Sequence, residues 1–251
     1  MSRVWLITGG SDGLGRALAE TVLAAGDRVV ATARRPDRLD DLRAEYGERF
    51  RRMALDVADE HSAQTSVLLA MRAFGRLDVA VPTGGHAGIA AVEDVTDHAL
   101  RTQMEANFFG VVNVVRAVLP VMRRQGAGHV VPVASLGGRT STPGLAAYQS
   151  ARWAVEGFAG VLAEEVAPFG IKVSVVDPGE PHTGWTGARM TAPPVSEPYL
   201  PTVGALAGTV RERRVRAPGD PAEAAAAILG LTRLRNPPPR LVLGTVTAAA
   251  A

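Results

Sequence analysis

Tyr148 and Arg152 stand four residues apart in the stretch "YQSARWAVEGF". At that spacing two side chains share one face of a helix. A phenol with a usual pKa of about 10 is a poor base at neutral pH, and an adjacent cation favours its ionised form. Such a pair can move a proton to or from a substrate oxygen. The cation here is arginine. It keeps its charge and also its proton, so it can steady the phenol electrostatically without relaying protons onward.

A second chemical signature opens the chain. "TGGSDGLG" (Thr8–Gly15) follows the apolar run Val4–Thr8 and precedes the helical pattern Leu14–Ala25. Glycines between a strand and a helix let the backbone approach a pyrophosphate at the positive end of the helix. This assigns Gly9, Ser11, Asp12, Gly13 and Leu14 to a dinucleotide. Asp12 brings a negative charge to that loop. Turned to solvent it costs little, whereas facing the phosphates it weakens binding. Arg34 follows Gly15 by 19 residues, just past the second strand. Folds of this kind place an acid there for a ribose 2′-hydroxyl or an arginine for a 2′-phosphate. "TARRP" has Arg34 and Arg35 and no acid, which favours NADP(H). Asp56, with Val57 after it, is expected to end the third strand and accept from the adenine amino group, or else to cap a turn.

The elements that must carry these groups alternate. Arg28–Ala33, Met53–Asp56, Leu77–Val81, His129–Ala134, Ile171–Val176 and Leu241–Gly244 read as further strands. They are continuous apolar runs, as parallel strands buried on both faces should be. Pro36–Tyr46 is a charged helix, and long helical patterns fill Thr96–Arg123 and Ala147–Ala167. Strands alternating with helices give an α/β, Rossmann-type doubly wound, mainly parallel sheet with helices on both faces, in one domain over 1–251. Pro178–Asp220 lacks periodicity and reads as a binding loop or lid, or else as disordered, with the lid proper at about 180–216.

The chain has 251 residues, 47% of them apolar, and a formal charge of +2 without a basic run. A nucleic-acid partner is not expected. The start "MSRVWLITGG" is neither a signal peptide nor a membrane span. The lack of cysteine excludes disulfides and thiolate metal sites and fits a cytoplasmic protein. No His/Asp/Glu spacing suggests a metal.

Taken together, these motifs resemble the short-chain dehydrogenase/reductase family from about Met1 to Gly244. Thr8-Gly9-x-x-x-Gly13-x-Gly15 matches its cofactor loop. "EANFFG" supplies Asn107, "VVPVASLGG" supplies Ser135, thirteen residues before Tyr148, and "VVDPGEPHTGW" supplies Pro178, Gly179 and Thr183 beside the nicotinamide. The resemblance implies a seven-stranded sheet, a homotetramer or homodimer built through the two long helices, and a small-molecule substrate. It implies that Ser135 polarises a carbonyl, Tyr148 transfers the proton and Asn107 holds a relay water. Several positions depart from the family. Arg152 replaces its lysine, and Pro82, Thr83 and Gly84 stand in its Asn-Asn-Ala-Gly segment. Pro132 sits inside the fifth strand, where it must forgo a ladder bond, and Glu180 and Pro181 follow Pro178-Gly179. Thr83 and Gly84 still fall beside the cofactor.

Three readings follow. One is NADP(H)-linked oxidation and reduction of a ketone or secondary alcohol. Another is a non-redox cyclase, isomerase or dehydratase using Ser135, Tyr148 and Arg152, its cofactor absent or structural. The third is a binding protein without turnover. His86 and His182 are alternative acid/base groups in loops. Trp153 and Phe158 are expected to pack their helix. Trp185 and Met190 are expected to line an apolar substrate site, and Asp94 and Asp97 to cap the helix at Thr96.

Overall fold

A computed structural model of the protein describes residues 2–134, 141–179, 190–208 and 221–243. Its centre is a parallel sheet in the order β3 (Phe50–Ala54), β2 (Arg28–Ala33), β1 (Val4–Thr8), β4 (Val79–Pro82), β6 (Gly128–Val130), β7 (Ile171–Val173). A seventh position follows. β8 (Val175–Asp177) continues the line of β7 and pairs in parallel with β10 (Arg240–Val242), and a bridge between Val133 and Val176 ties the pair to the main sheet. The expected seven strand positions are therefore filled, with the fifth and sixth interrupted. Pro132 is the reason on β6: it has no amide proton to donate to the neighbouring strand. Around it the bonding continues, with Val131 N donating to Ala80, Val176 N to Pro132 and Ala134 N to Val176.

Both faces of the sheet are apolar. Alternate residues of each strand point to opposite faces, so Trp5, Ile7, Val29, Ala31 and Val81 pack under α1 (Gly13–Ala24), α2 (Asp40–Tyr46) and α7 (Pro221–Leu231). Val4, Leu6, Val30, Ala80 and Val130 face α3 (Glu60–Phe74), α5 (Gly110–Gln125) and α6 (Ala146–Val166). α3 and α7 are not evident from the sequence pattern. α7 is "PAEAAAAILGL", whose alanine run gives little periodic contrast. The helix expected over Thr96–Arg123 is α4 (Asp97–Met104), a π-helical turn over Glu105–Phe109, and α5. Thr96 caps α4 by accepting from Ala99 N, while Asp97 pairs with Arg101. Asp94 does not cap this helix: it accepts from Ser196 N and Oγ at 3.2 and 2.9 Å.

The edge formed by the strand N-termini is fixed by buried polar bonds. Asp27 accepts from Arg3 N at 2.9 Å, Arg3 Nε at 3.3 Å and Trp5 Nε1 at 3.0 Å. Asp78 accepts from Val4 N at 2.8 Å. The opposite edge is left to carry chemistry.

A buried histidine lies within the sheet. Ser174 Oγ uses its one proton on the Pro238 carbonyl at 2.8 Å, so its oxygen accepts from His129 Nε2 at 3.0 Å. Burial, then the charges of Lys172 and Arg3, lowers the His129 pKa to about 4. Unfolded, the ring titrates at about 6.5. Between those values the unfolded chain binds more protons, so stability falls as pH drops through the window. The loss approaches about 3 kcal/mol once the pH is below both values. Urea unfolding of the wild type between pH 7 and pH 4 is expected to show this loss, and His129→Asn to flatten the curve above pH 4.5. An unchanged slope in the variant would assign the loss elsewhere.

Candidate active site

The spacing of Tyr148 and Arg152 does place them on one face of α6. The guanidinium carbon lies 5.3 Å from the centre of the Tyr148 ring. Tyr148 is 2% exposed and Arg152 5%. Arg152 Nη1 donates to the Val133 carbonyl at 2.9 Å, and Nη2 donates to Asn107 Oδ1 at 3.1 Å and the Gly84 carbonyl at 3.5 Å. Its Nε–H has no hydrogen-bond partner, and no carboxylate pairs with it among the described residues. The buried charge is thus met by neutral dipoles and one aromatic face. The cation–π contact contributes on the order of 1–2 kcal/mol, against a desolvation cost of several kcal/mol for a buried ion.

Asn107 is held just as tightly. Its Nδ2 donates to the His86 and Gln103 carbonyls, both at 2.8 Å, which fixes the amide's orientation and turns Oδ1 to Arg152. The residue sits inside the π-helical turn, a local widening that often marks functional positions. Nothing in "EANFFG" announces that turn. Gly85 closes the arrangement at φ +152°, and a Cβ there would strike Asn107 Oδ1 and come within 2.5 Å of Arg152 Nη2. Only glycine lets the chain pass so close to the pair.

Beside this wall runs a cleft of about 570 Å³, lined by Gly9, Ser11 and Asp12 of the glycine loop, by Arg34, Arg35 and Arg38, and by Asp56, Val57, Gly84 and His86. Thr102, Glu105 and Ala106 form its far side. Gly9 and Gly13 have φ of 65° and 53°, and a Cβ on Gly15 would meet the Gly9 carbonyl and lie 2.8 Å from Thr83 Oγ1. These contacts explain the glycines of the loop at the start of α1. The Leu14 side chain is core. Asp12 stays in the cleft lining, with its carboxylate 4.0 Å from Arg38 Nη1. Arg35 pairs with Asp37 at 3.2 Å. Arg34 has no ion-pair partner among the described residues and stands on the cleft rim. Thr83 N donates to Thr8 Oγ1 at 3.2 Å and its hydroxyl to the Thr8 carbonyl, fastening β4 to β1. Asp56 lies beyond β3, in a turn, where Oδ1 accepts from Ala58 N at 3.1 Å. Val57 packs on Gly84 and Gly110. Its carbonyl accepts from Asn113 Nδ2 at 3.0 Å, a support that sequence reasoning missed although Asn113 interrupts an apolar run. Burial, then the charges of Arg34 and Arg152, lowers the pKa of the half-buried His86 below its ordinary value.

On the other side of Tyr148 is a third apolar cluster. Ile89, Leu145, Met190, Val203 and Ala207 belong with Tyr148 to this cluster. β5 (Ala87–Gly88) pairs with β9 (Met190–Thr191), Ile89 N donates to Thr191 O at 2.8 Å, and Tyr199 donates to Glu93 at 2.6 Å. The segment 190–199 is so held against the site. Met190 is buried as expected, but Trp153 is 51% exposed and faces outward. Phe158 packs edge-on to Phe108. Pro178 and Gly179 follow β8, with Gly179 N donating to Asp177 Oδ1 at 3.1 Å. Ser135, Glu180, Pro181, His182, Thr183 and Trp185 lie outside the described residues.

Comparison with known proteins agrees with this arrangement. A family model described as short chain dehydrogenase matches residues 3–193. "Oxidoreductase BOA17" of Botryotinia fuckeliana is 47% identical over 97% of this chain and 89% of its own. The 3-ketodihydrosphingosine reductase of Bacteroides thetaiotaomicron is 33% identical, over 96% and 88%. A crystal structure of a short-chain dehydrogenase from Streptomyces avermitilis superposes with a TM-score of 0.89 at 40% identity, covering 97% of this chain and 88% of that one. With the glycine loop, the buried tyrosine–arginine pair and the parallel sheet all in place, the chain belongs to the short-chain dehydrogenase/reductase family and is an oxidoreductase of that type.

Proposed function

We propose that the protein uses NADP(H) to interconvert a ketone and a secondary alcohol on a medium or large apolar molecule. The observation that carries this is Tyr148 held between Arg152 and an apolar cluster, next to a cleft whose rim carries Arg34, without an ion-pair partner among the described residues. The residues fit a dinucleotide: Gly9 to Gly13 would hold its pyrophosphate at the start of α1, Arg34 its 2′-phosphate, and Asp56 and Val57 its adenine. When bound, the nicotinamide supplies or accepts the hydride. Tyr148 gives a proton to the carbonyl oxygen during reduction and removes it during oxidation. Arg152 stabilises the charge that develops there. Ser135 is assigned to the same oxygen by family position. Exposed Phe109 in the π-helical turn before α5, and exposed Trp153 and Val161 on α6, support a homodimer or homotetramer built through these elements.

A specific observation keeps a non-redox reading in view. Arg152 bonds directly to Asn107, so in this arrangement the cation and the amide satisfy each other rather than a relay water. An arginine fixed in that way serves an enolate as well as an alkoxide.

Three measurements test these assignments. Arg34→Asp is expected to weaken NADPH by about tenfold or more while affecting NADH less. Equal wild-type affinity for the two cofactors would remove the role of Arg34. Tyr148→Phe should lower kcat by about a hundredfold or more on a panel of acetophenone and longer methyl ketones, with the fold intact by circular dichroism. Retained turnover would move the chemistry elsewhere, with His86 and His182 next to test. Arg152→Lys separates the two readings. For NADPH-dependent reduction, lysine frees Asn107 Oδ1 and restores an ionisable carrier, so the rate should rise. A reaction that runs at full rate without nicotinamide, and falls in Arg152→Lys, would establish the non-redox reading instead.

A further inference from the structure

Gln149 follows Tyr148 directly, and no part of the mechanism above uses it. Its side chain is 7% exposed. Oε1 accepts from Thr142 N at 3.0 Å and Nε2 donates to Thr142 Oγ1 at 3.2 Å. One amide thus holds both the backbone and the hydroxyl of a residue seven positions earlier. Two bonds of complementary direction fix orientation as well as distance, because the amide presents one acceptor and one donor face.

The turn that Gln149 holds is shaped tightly. Leu145 N donates to Thr142 O at 3.1 Å, and Ala90 N donates to Gly144 O at 3.0 Å. Gly144 has φ +86°, and a Cβ there would lie 2.8 Å from Val203 and 3.0 Å from Ile89. The next residue, Leu145, packs in the same apolar cluster as Tyr148, Met190 and Val203. The position of Thr142 therefore sets where Gly144 and Leu145 meet Ile89 and Val203, and so the wall beside the Tyr148 ring. Consecutive helical residues point about 100° apart. Tyr148 can serve the reaction while Gln149 grips the turn leading into α6.

We propose that Gln149 is a positioning residue for the reaction of Tyr148, acting through Thr142 on the substrate-side wall. The inference rests on the reading of Tyr148 as the proton-transfer group. Misplacing a reacting pair by about 1 Å can cost up to about a hundredfold in rate. Loss of the Gln149 amide leaves the Thr142 N–H unpartnered and the turn free to shift.

The test compares wild type, Gln149→Ala, Gln149→Glu and Thr142→Val, with Tyr148→Phe in parallel. Amide hydrogen exchange is followed over residues 142–145, kcat and KM are measured with whichever ketone of the panel the wild type reduces, and NADPH affinity is titrated. Gln149→Ala should speed exchange at Thr142 and lower kcat/KM for the ketone about tenfold or more, with NADPH affinity unchanged. Gln149→Glu still accepts from Thr142 N and should recover most of both. Thr142→Val removes only the hydroxyl and should give a smaller loss, which preserves the test if Gln149→Ala folds poorly. Unchanged exchange and kcat/KM in Gln149→Ala, or equal losses of ketone turnover and NADPH affinity in every variant, would overturn the proposal. If Tyr148→Phe stays active, the reading of Tyr148 fails. If Tyr148→Phe is inactive while Gln149→Ala behaves as wild type, only the role of Gln149 fails.

Discussion

The site is organised around one buried guanidinium. Arg152 reaches the end of the central sheet at Val133, the loop after β4 at Gly84 and the π-helical turn at Asn107, and it lies under the ring of Tyr148 on its own helix. Four elements remote in sequence meet at this group. A lysine ammonium is a compact point charge, while the planar fork of arginine can bond two separated carbonyls at once. Because Arg152 has no carboxylate partner among the described residues, its charge is not cancelled locally. The guanidinium and the Tyr148 ring face each other in a buried site, where charge interacts more strongly than in water.

That constraint explains features that would otherwise look like local accidents. The π-helical turn puts Asn107 where its carbonyl oxygen meets Arg152 and its amino group meets His86 and Gln103. Gly85 has to be glycine because the chain passes against that pair. Asn107 also reaches the chain just before β5, and β5 is the strand against which β9 docks. The Tyr148–Arg152 region and the apolar segment from residue 190 are therefore parts of one bonded framework. A shift at either end has a physical route to the other through these contacts.

The cleft and the distal edge of the sheet show a division of electrostatic labour. At the N-terminal edge, carboxylates are held against backbone amides and arginine, Asp27 buried and Asp78 partly so. At the C-terminal edge Arg34, Arg35 and Arg38 line a cavity, with Asp12, the acid of the glycine loop, 4.0 Å from Arg38. A fold that satisfies its charges at one end can leave cations available at the other, which suits an anionic ligand.

What the sequence determined by itself is local. The continuous apolar runs named the strands, because both faces of a parallel sheet are buried. The glycine loop named the first β–α turn, because only glycine accepts its backbone angles. The interval of four placed Tyr148 and Arg152 on one face, because helical period is fixed. Tertiary structure alone decided what Arg152 touches, since its partners are mostly backbone carbonyls, which every residue has and no sequence pattern marks. It decided that Asp94 serves Ser196 rather than a helix end, that Trp153 faces outward, and that the strand at Pro132 breaks while its neighbours keep bonding. It also decided that Gln149 holds Thr142, a pairing set by the path of a turn rather than by any repeat. These outcomes depend on which distant segments are brought together when the two faces of the sheet are covered, and one-dimensional spacing carries no record of that.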